Sequence, residues 1–540
     1  MLPKVRPNFQ TMSGNKGGGP SHSGHQDTGG KGRRRTLSIF VFALLGLLIG
    51  LLTVSDPYLM HSLLDRDARA KLALPGWPVQ SLFVVALPLS LGLGAWLFFQ
   101  LPAIWDWILE NADLIIVAGF FFSHQLKSFE VGPIDPTDTI VMVGIGLGFS
   151  RLICGKSFPI AFSPIYFCLI GMVIILFCSL ALNPQGFTVV ARAVKAVLLF
   201  VLLVCYPMQR DCIPRTIRIL LVMLPITAVF CIIQEIVWLV SGVLLIGPID
   251  KGVLETMFEF GMFRVCGLTN FYTVYGLAAG TLFLVTYSLT IFRNEIVKGW
   301  GWKCFCWISM ALTLVAIFFT TAKDIWIGCF VGVALMTVVR FWRLLPVCLP
   351  IALLIAAAAC FAFEVMPGRE NFFNYVLKDV KMMESERISL DRGGFEAIAN
   401  SDLRTQLFGR GPGTAGLINL HPRNWPPHNA FIITAVEGGI PCMLLFIFFY
   451  LWALYRCGQL IAFAPDDTTR ALGLGFLASW GVIFFYSNFQ TTFLDPYIVA
   501  MFAVIEITAI QMLRQIAGYP RTSDTILPEF TPVGRGIPAF

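Results

Sequence analysis

The sequence predicts an all-α fold: a polytopic membrane helical bundle of about 12–14 spans with a long helical loop on its outer face. Three observations lead there. The chain is 56% hydrophobic and only 13% charged, whereas soluble chains are about half apolar and a quarter charged. Its apolar runs are long enough to cross a bilayer as helices and too long for barrel strands. The cationic short loops alternate along the chain, as they do when one membrane face collects Lys and Arg.

Residues 1–36 are Gly, Ser, His, Lys and Arg with almost nothing apolar, so a disordered cytoplasmic tail is expected there. It ends in Lys31, Arg33, Arg34 and Arg35, directly before the apolar run 37–54. No small-residue cleavage site follows cleanly, and a retained first helix with a cytoplasmic N-terminus is expected. Apolar runs follow near 79–101, 112–124, 138–154, 160–182, 188–207, 216–246, 271–292, 304–322, 324–340 and 344–364. Three more lie near 429–455, 470–489 and 496–515. The run at 112–124 is short for a span. Residues 37–364 thus form one transmembrane region and 429–515 a second, with 516–540 a cytoplasmic tail.

Threading these runs from an inside N-terminus places Arg151, Lys156, Arg210, Arg215, Arg218, Arg293, Lys298, Lys303, Arg340, Arg343, Arg456, Arg470 and Arg514 on the cytoplasmic face. Segments 55–78, 247–270, 320–324 and 365–428 then face out. The last is about 64 residues, too long for a connector. Within it 371–383 (NFFNYVLKDVKMM) has apolar residues at helical spacing, and 391–400 predicts a second short helix. A small helical cap over the outer face is expected. The 14 Cys lie mostly inside apolar runs, without a disulfide framework or a paired Cys-x-x-Cys, and read as small hydrophobes. The net charge of +7 is distributed over loops, and no nucleic-acid partner is expected.

The stretch 409–441, GRGPGTAGLINLHPRNWPPHNAFIITAVEGGIP, concentrates the polar signals. Its first half is loop chemistry, and its second half becomes a membrane helix at Ala430. His428 and Asn429 stand at the junction. Two other polar features fall at the outer ends of spans: Arg264 before the run at 271, and Lys323-Asp324 in the turn between two spans. Two fixed cations and one imidazole on one face fit an anionic substrate, the cations holding phosphate and the imidazole accepting a proton near neutral pH. Alternatives stand beside this. Charged residues at helix ends also snorkel to headgroups, and a His beside Pro also serves as a helix cap. Glu235 lies within a span, where a carboxylate is expensive. Glu437 follows His428 by nine residues, about half a turn out of phase on a regular helix. The run at 409–413 lacks the Gly-Lys-Ser/Thr of a P-loop and reads as a turn or a close backbone approach. Tyr272, Tyr275, Trp425 and Phe431 are aromatic candidates for sugar stacking or for the interfacial belt.

Over about residues 260–455 the chain resembles the O-antigen ligase and polymerase superfamily. The resemblance is carried by Gly409-Arg-Gly411-Pro-Gly413, His428-Asn429-Ala-Phe431, Glu437-Gly438-Gly439, and FRVCGLTN with Arg264, Gly267 and Asn270. Where members carry Ser-Arg at an outer turn, this chain has Ala322-Lys323; lysine keeps the charge but loses the bidentate fork. Arg387 or Arg392 stands for a further basic position of the family. The resemblance implies a GT-C type glycosyltransferase, without cofactor or metal, acting on an undecaprenyl-pyrophosphate-linked glycan donor at the periplasmic face of the bacterial inner membrane. The acceptor would be lipid A-core in a ligase, a lipid-linked glycan in a polymerase, or a protein hydroxyl in an O-oligosaccharyltransferase. It implies His428 as catalytic base and Arg264 and Lys323 on the pyrophosphate, with Asn429, Arg387, Arg392, Asn270 and Glu437 in support. A non-enzymatic transporter or flippase of lipid-linked sugars is the competing reading. It predicts charge spread through mid-membrane positions and needs no capped outer loop.

Overall fold

The structure is a computed structural model that describes residues 107–125, 136–153, 163–181, 186–206, 213–241, 265–267, 269, 271–341, 354, 387–417, 426–490 and 494–517. Among these residues there are thirteen α-helices, one 3₁₀ turn at Ala415–Leu417 and no strand. The helices are α1 (Ala112–Gln125), α2 (Pro136–Ile153), α3 (Ile165–Leu180), α4 (Phe187–Cys205), α5 (Ile213–Ser241), α6 (Tyr272–Ile291) and α7 (Trp300–Phe319). They continue with α8 (Lys323–Phe341), α9 (Ile388–Ala399), α10 (Leu403–Phe408), α11 (Ala430–Ala462), α12 (Asp467–Phe489) and α13 (Pro496–Ile516).

Seven of these, α5–α8 and α11–α13, are long and apolar enough to cross a membrane, and α1 and α3 are shorter apolar helices. The chain is therefore an all-α polytopic membrane bundle. Helices α2 and α4 coincide with the expected runs at 138–154 and 188–207. The expected tail at 1–36, all but the first two residues of the tail expected at 516–540, the runs at 37–54 and 79–101, nearly all of 344–364, and the loop helix at 371–383 lie outside the described residues. The second loop helix is present as α9.

Helices α6 and α13 form the centre, buried on nearly every side. Helix α6 packs against α7, α8 and α12; helix α11 packs against α3, α12 and α13. The periphery carries large apolar side chains facing outward, among them Phe167, Phe177, Ile308, Leu444 and Leu451. Such a surface suits lipid, which gives helices no hydrophobic drive to associate, so contact depends on close backbone approach and polar glue. Both are visible. A Cβ on Gly328 would lie 2.9 Å from the Val482 Cα, and one on Gly332 would lie 2.9 Å from Leu284. These two glycines, four apart on α8, let α8, α6 and α12 meet. Between the same helices, Ser479 Oγ donates to the Thr281 carbonyl at 2.8 Å and Ser288 Oγ to the Ala471 carbonyl at 2.6 Å. The Tyr497 hydroxyl meets Thr281 Oγ1 at 2.6 Å, joining α13 to α6.

The two ends of the bundle differ in chemistry. At one end Arg218 of α5 donates to the Glu295 and Ile296 carbonyls, and the Glu295 N–H donates to Thr468 before the body of α12. Arg293, Lys303, Arg340 and Arg470 belong to the same helix ends. The start of α11 and the start of α8 lie at the other end, about seven turns along α11 from Arg456.

Candidate functional site

The site is built at the head of α11. Asn429 has extended backbone (φ −128°, ψ 115°) and caps the helix: its Oδ1 accepts the N–H groups of Phe431 at 2.9 Å and Ile432 at 3.3 Å. Two donors left orphaned at a helix start are thereby satisfied. Its amide also donates to Asn488 Oδ1 at 3.1 Å, near the end of α12. Asn429 is thus a structural cap that pins α11 to α12. Two residues later, Gln490 Nε2 reaches Asp324 Oδ2 over a long 3.5 Å contact. The end of α12 therefore links the head of α11 to the head of α8, where Lys323 is half-buried and Asp324 buried.

His428 precedes the cap and is half-buried. Its backbone N–H donates to Asp391 Oδ1 at 2.9 Å, across 37 positions of sequence. Asp391 lies in the first turn of α9, where a carboxylate also suits the helix dipole. Helix α9 comes this close because Gly394 faces the Pro427 ring; a Cβ there would meet Pro427 at 2.7 Å and Ile432 at 2.8 Å. Arg387, the N-cap residue of α9, stands one turn before Asp391 and interacts electrostatically with Asp391, His428 and Asp324. Burial, aided by the Arg387 charge, pulls the His428 imidazole down to about 4, so it is neutral at physiological pH. Burial pushes the Asp391 carboxyl up to about 6, against the His428 N–H and Arg387, which both favour the carboxylate.

Arg264 and Asn270 lie outside the described residues. Their neighbours do not: the Val265 N–H donates to the Phe319 carbonyl at 3.4 Å, four residues before Lys323. Gly267 adopts the left-handed region (φ 62°) with its carbonyl accepting Gln234 Nε2 at 2.8 Å. Arg392 points away from this cluster: its guanidinium is exposed and pairs with Glu396 one turn on at 2.8 Å.

Glu437 does different work. It is buried, and its carboxylate accepts the backbone N–H groups of Gly413 and Ala415, with the Arg192 charge nearby. The Arg410 N–H donates to the Val436 carbonyl at 2.7 Å. Gly409 (φ 71°) lies so close that a Cβ would sit 2.5 Å from the Glu437 carbonyl carbon. The Gly-x-Gly loop and the Glu-Gly-Gly segment, 28 residues apart from Gly409 to Glu437, are therefore each other's packing partners. Among the aromatic candidates, Tyr275 is buried in the core and Phe431 stacks among Phe446, Tyr450 and Phe484. Tyr272 lies against Phe271, and Trp425 is outside the described residues.

The structure thus brings His428, Asp324 and the start of α8 to one end of the bundle and adds Arg387 and Asp391 from the cap helix. Asp391 was not singled out by sequence. Its one signal was the four-residue spacing from Arg387, which puts both on one face of a short helix. Arg387 of α9 acts on the imidazole and also on Asp324 of α8, so the charges gathered here come from elements far apart in sequence. A proton acceptor, cations and a half-buried approach under a cap suit the handling of an anionic, hydroxyl-bearing substrate. No protein-family model matches the chain, and no curated protein matches it significantly.

Proposed function

We propose that the chain is a periplasmic-face glycosyltransferase of the inner membrane, moving an undecaprenyl-pyrophosphate-linked glycan to an acceptor hydroxyl, as an O-antigen ligase does with lipid A-core. The observation that carries this reading is a neutral imidazole at the head of a membrane helix, set beside Arg387 and on the same end of the bundle as Lys323. The motif resemblance at Arg264, Gly409–Gly413, His428-Asn429 and Glu437-Gly438-Gly439 supports it. So does the collection of short-loop cations at the opposite end, which under the positive-inside tendency is compatible with a periplasmic His428 end.

In this reading the acceptor oxygen attacks the anomeric carbon and its proton passes to His428. The bond from that carbon to the pyrophosphate oxygen breaks, and the leaving group takes the electron pair with inversion in one displacement. His428 is neutral at working pH, so its ring has a free nitrogen for that proton, while burial and the Arg387 charge make it a weaker base than the ordinary imidazole expected from the sequence. Arg264, Lys323 and Arg387 neutralise the pyrophosphate as its charge develops. Helix α9 and the segment 409–417 form part of the cover over this end, so the reacting groups are partly withdrawn from bulk water.

A polymerase of repeat units shares every one of these features and differs in the acceptor alone. The deciding experiment offers purified protein a lipid-linked glycan with lipid A-core, a second lipid-linked glycan or a hydroxyl-bearing peptide, each separately. Transfer to lipid A-core alone is the expected result. Transfer to lipid-linked glycan alone makes the protein a polymerase. No transfer to any of the three rejects the glycosyltransferase reading and favours a transporter.

A further inference from the structure

We infer that Asp391 is a positioning residue for His428, fastening cap helix α9 to the peptide that carries the imidazole. The inference rests on the reading of His428 as the proton acceptor. Three observations carry it. The Asp391 carboxylate accepts the His428 backbone N–H at 2.9 Å, a direct hydrogen bond from α9 to the backbone of that residue. Gly394, on the same helix, leaves room for the Pro427 ring that immediately precedes His428. Arg387, one turn earlier, supplies a charge that acts on Asp391, His428 and Asp324 together.

The arrangement solves a local problem. The chain enters α11 through Pro426 and Pro427, which have no N–H to donate. Asn429 holds the donors on its C-terminal side. The His428 N–H precedes the donors that the Asn429 cap holds, and it is taken by a side chain of another element. The backbone is thus clamped on both sides of the imidazole's own Cα, by Asn429 from within α11 and by Asp391 from α9. A base must be held within a fraction of an ångström of its target, and small displacements there lose large factors in rate. Helix α9 is then a wall of the site as well as part of its cover. A cap that opens must release the His428 N–H and disorganise the base at the same moment.

The test compares Asp391→Ala, which removes the acceptor, with Asp391→Asn, which keeps an Oδ1 able to accept the same N–H. Glu396→Gln, on the exposed face of α9, is the control. Two readouts are needed: steady-state transfer from the lipid-linked glycan, and hydrogen exchange of the segment 426–432 in detergent or nanodiscs. After two prolines, the His428 amide is the first exchangeable one in that segment. The expected result for Asp391→Ala is a fall in kcat of about tenfold or more with donor KM changed less than about threefold. The His428 amide should exchange at least about tenfold faster. Asp391→Asn should restore protection and most of kcat. Full kcat in Asp391→Ala, an unchanged exchange rate, or equal losses in Ala and Asn overturn the inference. If wild-type protein transfers no glycan at all, the function proposed above fails, and the exchange comparison still decides whether Asp391 holds His428.

Discussion

Gly439 breaks helix α11 against the backbone of Leu407: at φ 81° and ψ 173° it sits where a Cβ would lie 2.5 Å from the Leu407 carbonyl carbon. That region of backbone space is essentially open to glycine alone. The break lets α10 and the Gly-rich loop press on the membrane helix nearly three turns beyond the cap at Asn429. Gly439→Ala should therefore destabilise the fold by about 1–3 kcal/mol from backbone strain, with steric overlap in addition. Thermal unfolding in detergent measures it, and a Tm equal to wild type would show that the break is not required.

Glu437 should act through the loop it holds. Its carboxylate takes two backbone donors, from Gly413 and Ala415, inside a buried site. Glu437→Ala leaves both unpaired, at about 1–3 kcal/mol each. Glu437→Gln keeps one acceptor oxygen and should lose less. Limited proteolysis at 409–417 reads the outcome: faster cleavage in the Ala variant than in Gln is expected, and equal resistance would contradict the assigned role.

The pH dependence has a definite sign. The imidazole of His428 sits at about 4 in the fold and near 6.5 when unperturbed. Folded protein therefore binds fewer protons here between about pH 4 and 6.5, and this group makes stability rise with pH across that window. Asp391 is held up at about 6 against an ordinary value near 3.9. Folded protein binds more protons at this group between about pH 4 and 6, so its contribution falls as pH rises. The two largely offset each other. Asp391→Asn removes one side, so the variant should lose stability relative to the wild type as the pH is lowered from about 6.5 to 4. Unfolding midpoints across that range decide it; parallel curves for the two proteins would refute the offset.

Arg456 and Glu506 form a buried bidentate pair with contacts of 2.8 and 2.7 Å, far from His428 along α11. Arg456 also lies over the Trp452 ring and donates to Gln459. Removing one partner strands the other charge, so Glu506→Ala should cost about 3–5 kcal/mol of stability. In protein that still folds, donor KM should be unchanged, because the pair stands apart from the site. A rise in KM without loss of stability would place this pair on a substrate path and favour the transporter reading.

The bundle was legible in the sequence because lipid leaves the backbone few choices. Long apolar runs become helices, and α5–α8 and α11–α13 fall within a few residues of the expected positions. The short helix expected at 391–400 is present at 388–399. The cap's docking was not legible. Asp391 and His428 meet through one hydrogen bond across 37 residues, and no periodicity encodes that. The fixed phase of a helix could separate Glu437 from His428 but could not say that Glu437 would hold the Gly-rich loop. Asn429 shows the same limit: beside a His it reads as chemistry, while its side chain is engaged in capping α11 and tying it to Asn488.

The central claim is that His428 accepts the acceptor's proton, and the most direct measurement is single-turnover transfer by His428→Ala in protein shown to be inserted and folded. The account predicts donor binding close to wild type and a transfer rate lower by at least about a hundredfold. Transfer at the wild-type rate would contradict it.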